Sequence, residues 1–225
     1  MSENPTGSDL PTPSEVTAQP NPHFDIQNLE ELLRLFESPK DVSLVKELDY
    51  VDANYAAWIA ASPFVVLCTA GSAGLDASPR GDPAGFVRIL DPKTLLFPDR
   101  RGNNRLDSLR NLISDPRLAL LFLIPGLGET LRVNGRARLS TDPALLSSFA
   151  VQGSTPKLVL VVAVEAAYFQ CSRAVLRADL WNPERHIDRT ALPSPGKILG
   201  DATAGKVDGA TYDRELPDRV RSTLY

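Results

Sequence analysis

Cysteine and histidine are scarce in this chain, with two of each in 225 residues. Cys68 and Cys171 are too few for a disulfide framework, and a reducing cytoplasm is the simpler setting. His23 and His186 stand far apart in weakly patterned segments, so no metal site is expected. No run of eighteen apolar residues occurs, so neither a transmembrane helix nor a membrane partner is expected. The start of the chain, MSENPTGSDLPTPSEVTAQPNP, lacks the basic residues and apolar core of a secretory signal. Positive charge is also lacking: the net charge of −4 argues against a general nucleic-acid binder.

That charge is unevenly spread. Residues 78 to 138 hold eleven Lys or Arg against six Asp or Glu, a balance of +5, and the remainder carries −9. A basic middle in an acidic protein is what a local anion site requires, although chance clustering on a solvated surface gives the same count.

The order of elements reads as mainly β. Residues 1–24 are rich in Pro, Ser, Thr and Asn and are expected to be a disordered tail. Two packing helices are expected over 25–61. Ile26, Leu29, Leu32, Leu33 and Phe36 mark the first, and Val42 to Ala61 forms the second. Strands follow at Phe64–Thr69, at Gly85–Leu90 and Thr94–Phe97 around Asp91-Pro92, and at Arg117–Ile124. In Glu129–Ser140, Leu131, Val133, Gly135, Ala137 and Leu139 share one face, and Thr130, Arg132, Asn134, Arg136 and Arg138 share the other. The run Leu158–Val164 predicts a strand buried on both faces. Short helices are expected at 104–114 and 143–150, the latter capped by Asp142. The chain from 182 to 225 looks irregular. Together these predict a six-stranded antiparallel barrel over 62–181 with peripheral helices.

Three stretches carry candidate chemistry. In Pro98-Asp99-Arg100-Arg101-Gly102-Asn103-Asn104-Arg105-Leu106-Asp107-Ser108 a strand ends, a polar turn follows and a helix starts near Asn103 or Asn104. Unpaired N–H groups of a helix's first turn attract anions, and Arg105 and Ser108, three apart, would share one face of it. A capped surface helix with a solvated arginine has the same pattern. Arg80 lies between Pro79 and Gly81, ahead of Asp82, where a fixed guanidinium could hold a second phosphate oxygen or simply mark a tight turn. Along 130–138, Arg132, Arg136 and Arg138 repel one another unless something anionic faces them, a cofactor or a second subunit. Gly200 to Lys206 has the spacing of a phosphate-binding loop, but Val207 replaces the metal-binding hydroxyl and no strand precedes it.

These pieces, in this order, resemble the pyridoxamine 5'-phosphate oxidase-like family of FMN-binding split barrels, and within it an actinobacterial-type FMN-dependent subgroup. The resemblance runs from about 62 to 181. It rests on SPFVVLCTAG, SPRGDPAGFVRIL, LLFPDRRGNNRLDSLRNLISDPRLALLFLIPG, ETLRVNGRARLS and CSRAVLRADLW. It implies a homodimer with FMN at the subunit interface, and hydride transfer between flavin and a small organic substrate. Arg80 occupies the place of a phosphate-binding arginine, and Asn104-Arg105 that of a basic pair. Asp99 and Arg100 match positions lining the flavin edge. Thr130 stands where the family has a glutamine. Trp181, with Cys171 and Arg173 nearby, matches a tryptophan that packs beside the flavin from the partner subunit. Arg100 and Arg132 would stabilise charge on the reduced ring. The same fold allows a deazaflavin, a haem, or a non-catalytic flavin-binding protein.

Overall fold

The computed structural model describes residues 20–72 and 74–225. Most of the tail expected over 1–24 lies outside the described residues. Seven strands form one antiparallel sheet: β1 (Phe64–Gly71), β2 (Gly74–Gly81), β3 (Arg88–Asp91), β4 (Thr94–Pro98), β5 (Arg117–Leu123), β6 (Thr130–Ser140) and β7 (Val159–Gln170). Their order is β2-β1-β5-β6-β7-β4-β3. The expected closed barrel of six strands is therefore corrected. Among the described residues there are seven strands, and β2 and β3 remain the two edges.

The additional strand is β2, a stretch whose Gly, Asp and Pro content disguises it. Pro79 has no N–H to give a neighbour, which an edge strand tolerates and a central one does not. Its pairing with β1 is continuous, from Phe64 opposite Gly81 to Gly71 opposite Gly74.

The sheet bends around one core. Val65 and Leu67 of β1, Leu95 and Phe97 of β4, Leu120 and Phe122 of β5, Leu131 and Val133 of β6, and Leu160 and Val162 of β7 pack into it. Each such burial stabilises by about 1.5–3 kcal/mol. The β6–β7 register shifts between Asn134 and Gly135, opposite the extra residue Glu165 of β7. Gly135 is required there, because a Cβ would stand 2.1 Å from the Ala163 carbonyl oxygen. The alternation expected for 130–138 is present. β7 departs from expectation: Val159 and Leu160 are buried in succession, but Ala163 and Glu165 are exposed, so only its start is covered on both faces.

The helices differ more. The two expected over 25–61 become three: α1 (Leu29–Leu33), α2 (Asp41–Leu44) and α3 (Ala53–Ala61). Two local choices break the long helix. Leu48 pairs with Ala167 in an extended bridge, and Asp52 caps a new start by accepting from the Tyr55 N–H at 2.8 Å. The apolar residues of α1 and α2 remain largely exposed, and only α3 contributes buried side chains, Tyr55 and Ile59. Next come α4 (Asp107–Ser114), α5 (Pro143–Ser148, capped by Asp142) and α6 (Arg173–Ala178).

The segment 182–225, expected to be irregular, folds into an α7 (Pro195–Ala202) and α8 (Gly209–Ser222) hairpin. Its backbones touch at Gly196 and Gly209: a Cβ on Gly196 would lie 2.1 Å from the Gly209 carbonyl. Asp213 of α8 accepts from the Gly196 N–H at 2.7 Å and from the Ser194 hydroxyl. Gly200 to Lys206 is the end of α7 and its following turn, with no strand before it. Among the described residues no helix is long and apolar enough to cross a membrane.

Candidate functional site

Period-two alternation along β2 puts Asp76, Ser78 and Arg80 on one face. All three line a cavity of about 1000 Å³, together with the turn after β4, the start of α4, residues 154–158 and Tyr225. Five of its lining residues are basic (Arg80, Arg100, Arg101, Arg105, Lys157) and three are acidic (Asp76, Asp99, Asp107), which leaves +2.

Two arginines are built into the wall. Arg80 Nη1 donates to Asp99 Oδ1 at 2.6 Å, and Nη2 donates to the Ser108 hydroxyl at 3.3 Å. Ser108 in turn donates to Asp76. The Arg80 Nε is buried and has no hydrogen-bond partner among the described residues. Arg100 Nε donates to Asp82 Oδ2 at 2.6 Å, and its Nη1 donates to the Phe149 carbonyl at 2.8 Å. The Arg80 and Arg100 side chains are only 22% and 16% exposed. These two pairs tie β2 to the end of β4 by side chains, where no backbone ladder joins them.

The turn is less ordered by partners. Asn104 and Leu106 adopt left-handed φ values of 58° and 63°, each costing about 1–3 kcal/mol. The helix therefore begins at Asp107 rather than near Asn103 or Asn104. Arg105 lies before it, so Arg105 and Ser108 do not share a face of the first turn, although both line the cavity. Arg105 Nε donates to Asp107 at 2.8 Å with its side chain 75% exposed, and that contact pushes the guanidinium above its ordinary pKa. No side chain caps α4, so its first N–H groups, at Asp107, Ser108 and Leu109, stand at the cavity without a side-chain acceptor.

Seven residues expected at a site line this one cavity: Arg80, Asp99, Arg100, Asn103, Asn104, Arg105 and Ser108. Gly81 and Pro98 flank it in sequence, and Asp82 supports it through Arg100. Thr130, Arg132, Arg173 and Trp181 do not line it. Thr130 donates to Gln170, Arg132 to the Tyr168 hydroxyl, and Trp181 Nε1 to the Leu127 carbonyl. This second cluster gathers where β6 starts and β7 ends, whereas the cavity's Leu158 adjoins the start of β7. Asp76, Lys157 and Tyr225 were not foreseen. Alternation along β2 would have found Asp76 once the segment was read as a strand. Tyr225 enters the sequence reading only through the terminal Leu224-Tyr225, as part of the family resemblance and without a role.

The sequence profile described as Pyridoxamine 5'-phosphate oxidase matches residues 51–171. A comparison with curated proteins gives no match. Among solved structures, HupZ from Group A Streptococcus is 16% identical, with 54% of this chain and 95% of that one covered and a TM-score of 0.45. General Stress Protein 26 from Bacillus anthracis is 15% identical over 50% and 88% of the two chains, with a TM-score of 0.38. A Clostridium acetobutylicum protein of the pyridoxinephosphate oxidase family, related to general stress protein 26, is 14% identical over 51% and 84%, also at 0.38.

Proposed function

The chain belongs to the pyridoxamine 5'-phosphate oxidase family, and from that premise we propose that it binds FMN beside α4 and acts as a flavin-dependent oxidoreductase on a small organic substrate. One observation carries the reading: Arg80, held by Asp99 and Ser108, lines the same cavity as the uncapped first turn of α4, Arg105 and Lys157, so fixed donors and positive charge converge on one space.

The residues fit the phosphate end of FMN. Arg80 and the uncapped N–H groups of α4 offer donors at one wall, and Arg105 and Lys157 add positive charge. Ser108 has a single hydroxyl hydrogen, already given to Asp76, so its first role is to hold Arg80. When bound, flavin supplies a hydride acceptor at N5. Arg100, fixed by Asp82 and the Phe149 carbonyl, would be the wall's donor toward negative charge on the reduced flavin. The open side of the cavity admits the substrate, and the walls orient it against the ring.

The proposal includes a cytoplasmic homodimer, in keeping with two free thiols. Thr130, Arg132, Arg173 and Trp181 would then serve the second copy's cavity. The actinobacterial-type subgroup likeness is part of the same proposal.

Purified protein tests it. Bound flavin gives absorbance bands near about 370 and 450 nm. Bleaching by a nicotinamide donor with turnover identifies an enzyme, and bleaching or binding without turnover identifies a carrier. Protein that stays colourless and leaves added FMN free in a titration overturns the reading.

A further inference from the structure

The C-terminal residue arrives at the cavity from far away. Tyr225 is 143 positions from Asp82, yet its hydroxyl donates to Asp82 Oδ1 at 2.7 Å. The Asp82 side chain is 2% exposed, and its other oxygen takes the Arg100 Nε. One buried carboxylate therefore fixes both the arginine and the phenol. The Arg100 guanidinium lies 5.7 Å from the centre of the Tyr225 ring.

We infer that Tyr225 is a ligand-contacting residue, whose ring forms the wall against which the planar part of the bound ligand packs. This rests on the FMN reading above and adds to it a residue outside the span matched by the family, 51–171.

The bond to Asp82 ties the α7–α8 hairpin to the sheet through the Tyr225 hydroxyl and leaves the ring free of that task. That hairpin is already closed by the Gly196–Gly209 approach and by Asp213. The ring lines the cavity while remaining half-exposed. Its hydroxyl is tied down at one end, which fixes the long axis of the side chain and leaves the rest of the ring for contact. Aromatic pairs of this kind favour offset or edge arrangements and add to the area they bury. Tyr225 also stands beside Arg100, the cavity arginine that Asp82 holds. The hydrogen bond to Asp82 pushes the phenol above its ordinary pKa, so it remains a donor.

The test is an FMN titration of wild type, Tyr225→Ala and Tyr225→Phe, reading affinity and the fluorescence of bound flavin. Tyr225→Ala is expected to weaken binding about tenfold, equal to about 1.4 kcal/mol. It should also brighten the bound flavin, because a phenol in contact with the ring quenches it. Tyr225→Phe keeps the ring and is expected to stay within about threefold of wild type. Wild-type affinity and brightness in Tyr225→Ala would overturn the inference. So would equal losses in both variants, since the hydroxyl tether rather than the ring contact would then be responsible. If wild type binds no FMN, the flavin reading fails and the wall is tested with the planar anion 8-anilinonaphthalene-1-sulfonate. A Tyr225→Ala loss of about tenfold with that probe upholds the wall, and unchanged binding removes it.

Discussion

Two sets of arginines face the same cavity, and they are held in different ways. Arg80 and Arg100 rise from the ends of β2 and β4, are largely covered, and are each gripped by a carboxylate and a further oxygen. Arg101 and Arg105 lie in the turn between β4 and α4 and are exposed, Arg105 with only Asp107 to hold it. In sequence both sets look alike, basic residues beside Gly, Asn or Asp. In space the first is preorganised and the second is not. Preorganisation matters because an exposed charge pays side-chain entropy and is screened, whereas a fixed and desolvated donor has paid already.

If that contrast is sound, Arg80→Ala should have the largest effect. FMN affinity is expected to fall by about 2–3 kcal/mol, the range of charge-assisted bonds. A fluorescence titration showing less than about a threefold loss would erase the distinction between wall and loop. Ser108→Ala removes the oxygen that orients Arg80 and is expected to cost about 1 kcal/mol in the same titration. Arg105→Ala should cost only about 0.5 kcal/mol, and the loss should shrink further at high salt. A loss as large as that of Arg80→Ala would mean that the turn closes on the ligand and that its arginine becomes part of the wall.

The smallest effect sharpens the exposed side of the contrast. Arg117 beside Asp115 holds that carboxyl down at about 2. A lowered carboxylate pKa contributes stability above the unfolded value, lost as pH falls through about 2. A carbon-detected NMR titration should follow Asp115 to that midpoint, and Arg117→Ala should raise it toward the ordinary value without reaching it, because the backbone N–H of residue 117 still donates to the carboxylate. That substitution is expected to cost a little stability at pH 7, reduced by solvent screening, and none below about pH 2, where Asp115 is protonated in both proteins. Titration of Asp115 near 4 in the wild type would show that the exposed pair does not form in solution.

The sequence was legible where a local rule had no competitor. β6 shows strict alternation over eleven residues and folds accordingly. Asp142 and Pro143 start α5 where capping chemistry puts it. It misled where a tertiary contact outbid the local pattern. The apolar periodicity from Val42 to Ala61 reads as one helix, but the Leu48–Ala167 bridge and the Asp52 cap divide it. β2 was hidden because edge strands accept Pro and Gly that central strands reject. The α7–α8 hairpin has little buried apolar surface and is joined through glycines and one aspartate, so hydrophobic patterning could not announce it.

By itself, the sequence determined the strand-rich class, the basic middle and the residues able to hold an anion, because periodicity and side-chain chemistry are local properties. Only the tertiary structure decided which of those charges are fixed, that Arg80 meets Asp99 and Ser108, and that the last residue reaches Asp82. Those contacts join positions 19, 28 and 143 residues apart. Spacing along a chain says nothing about such pairs until the sheet bends and brings them together.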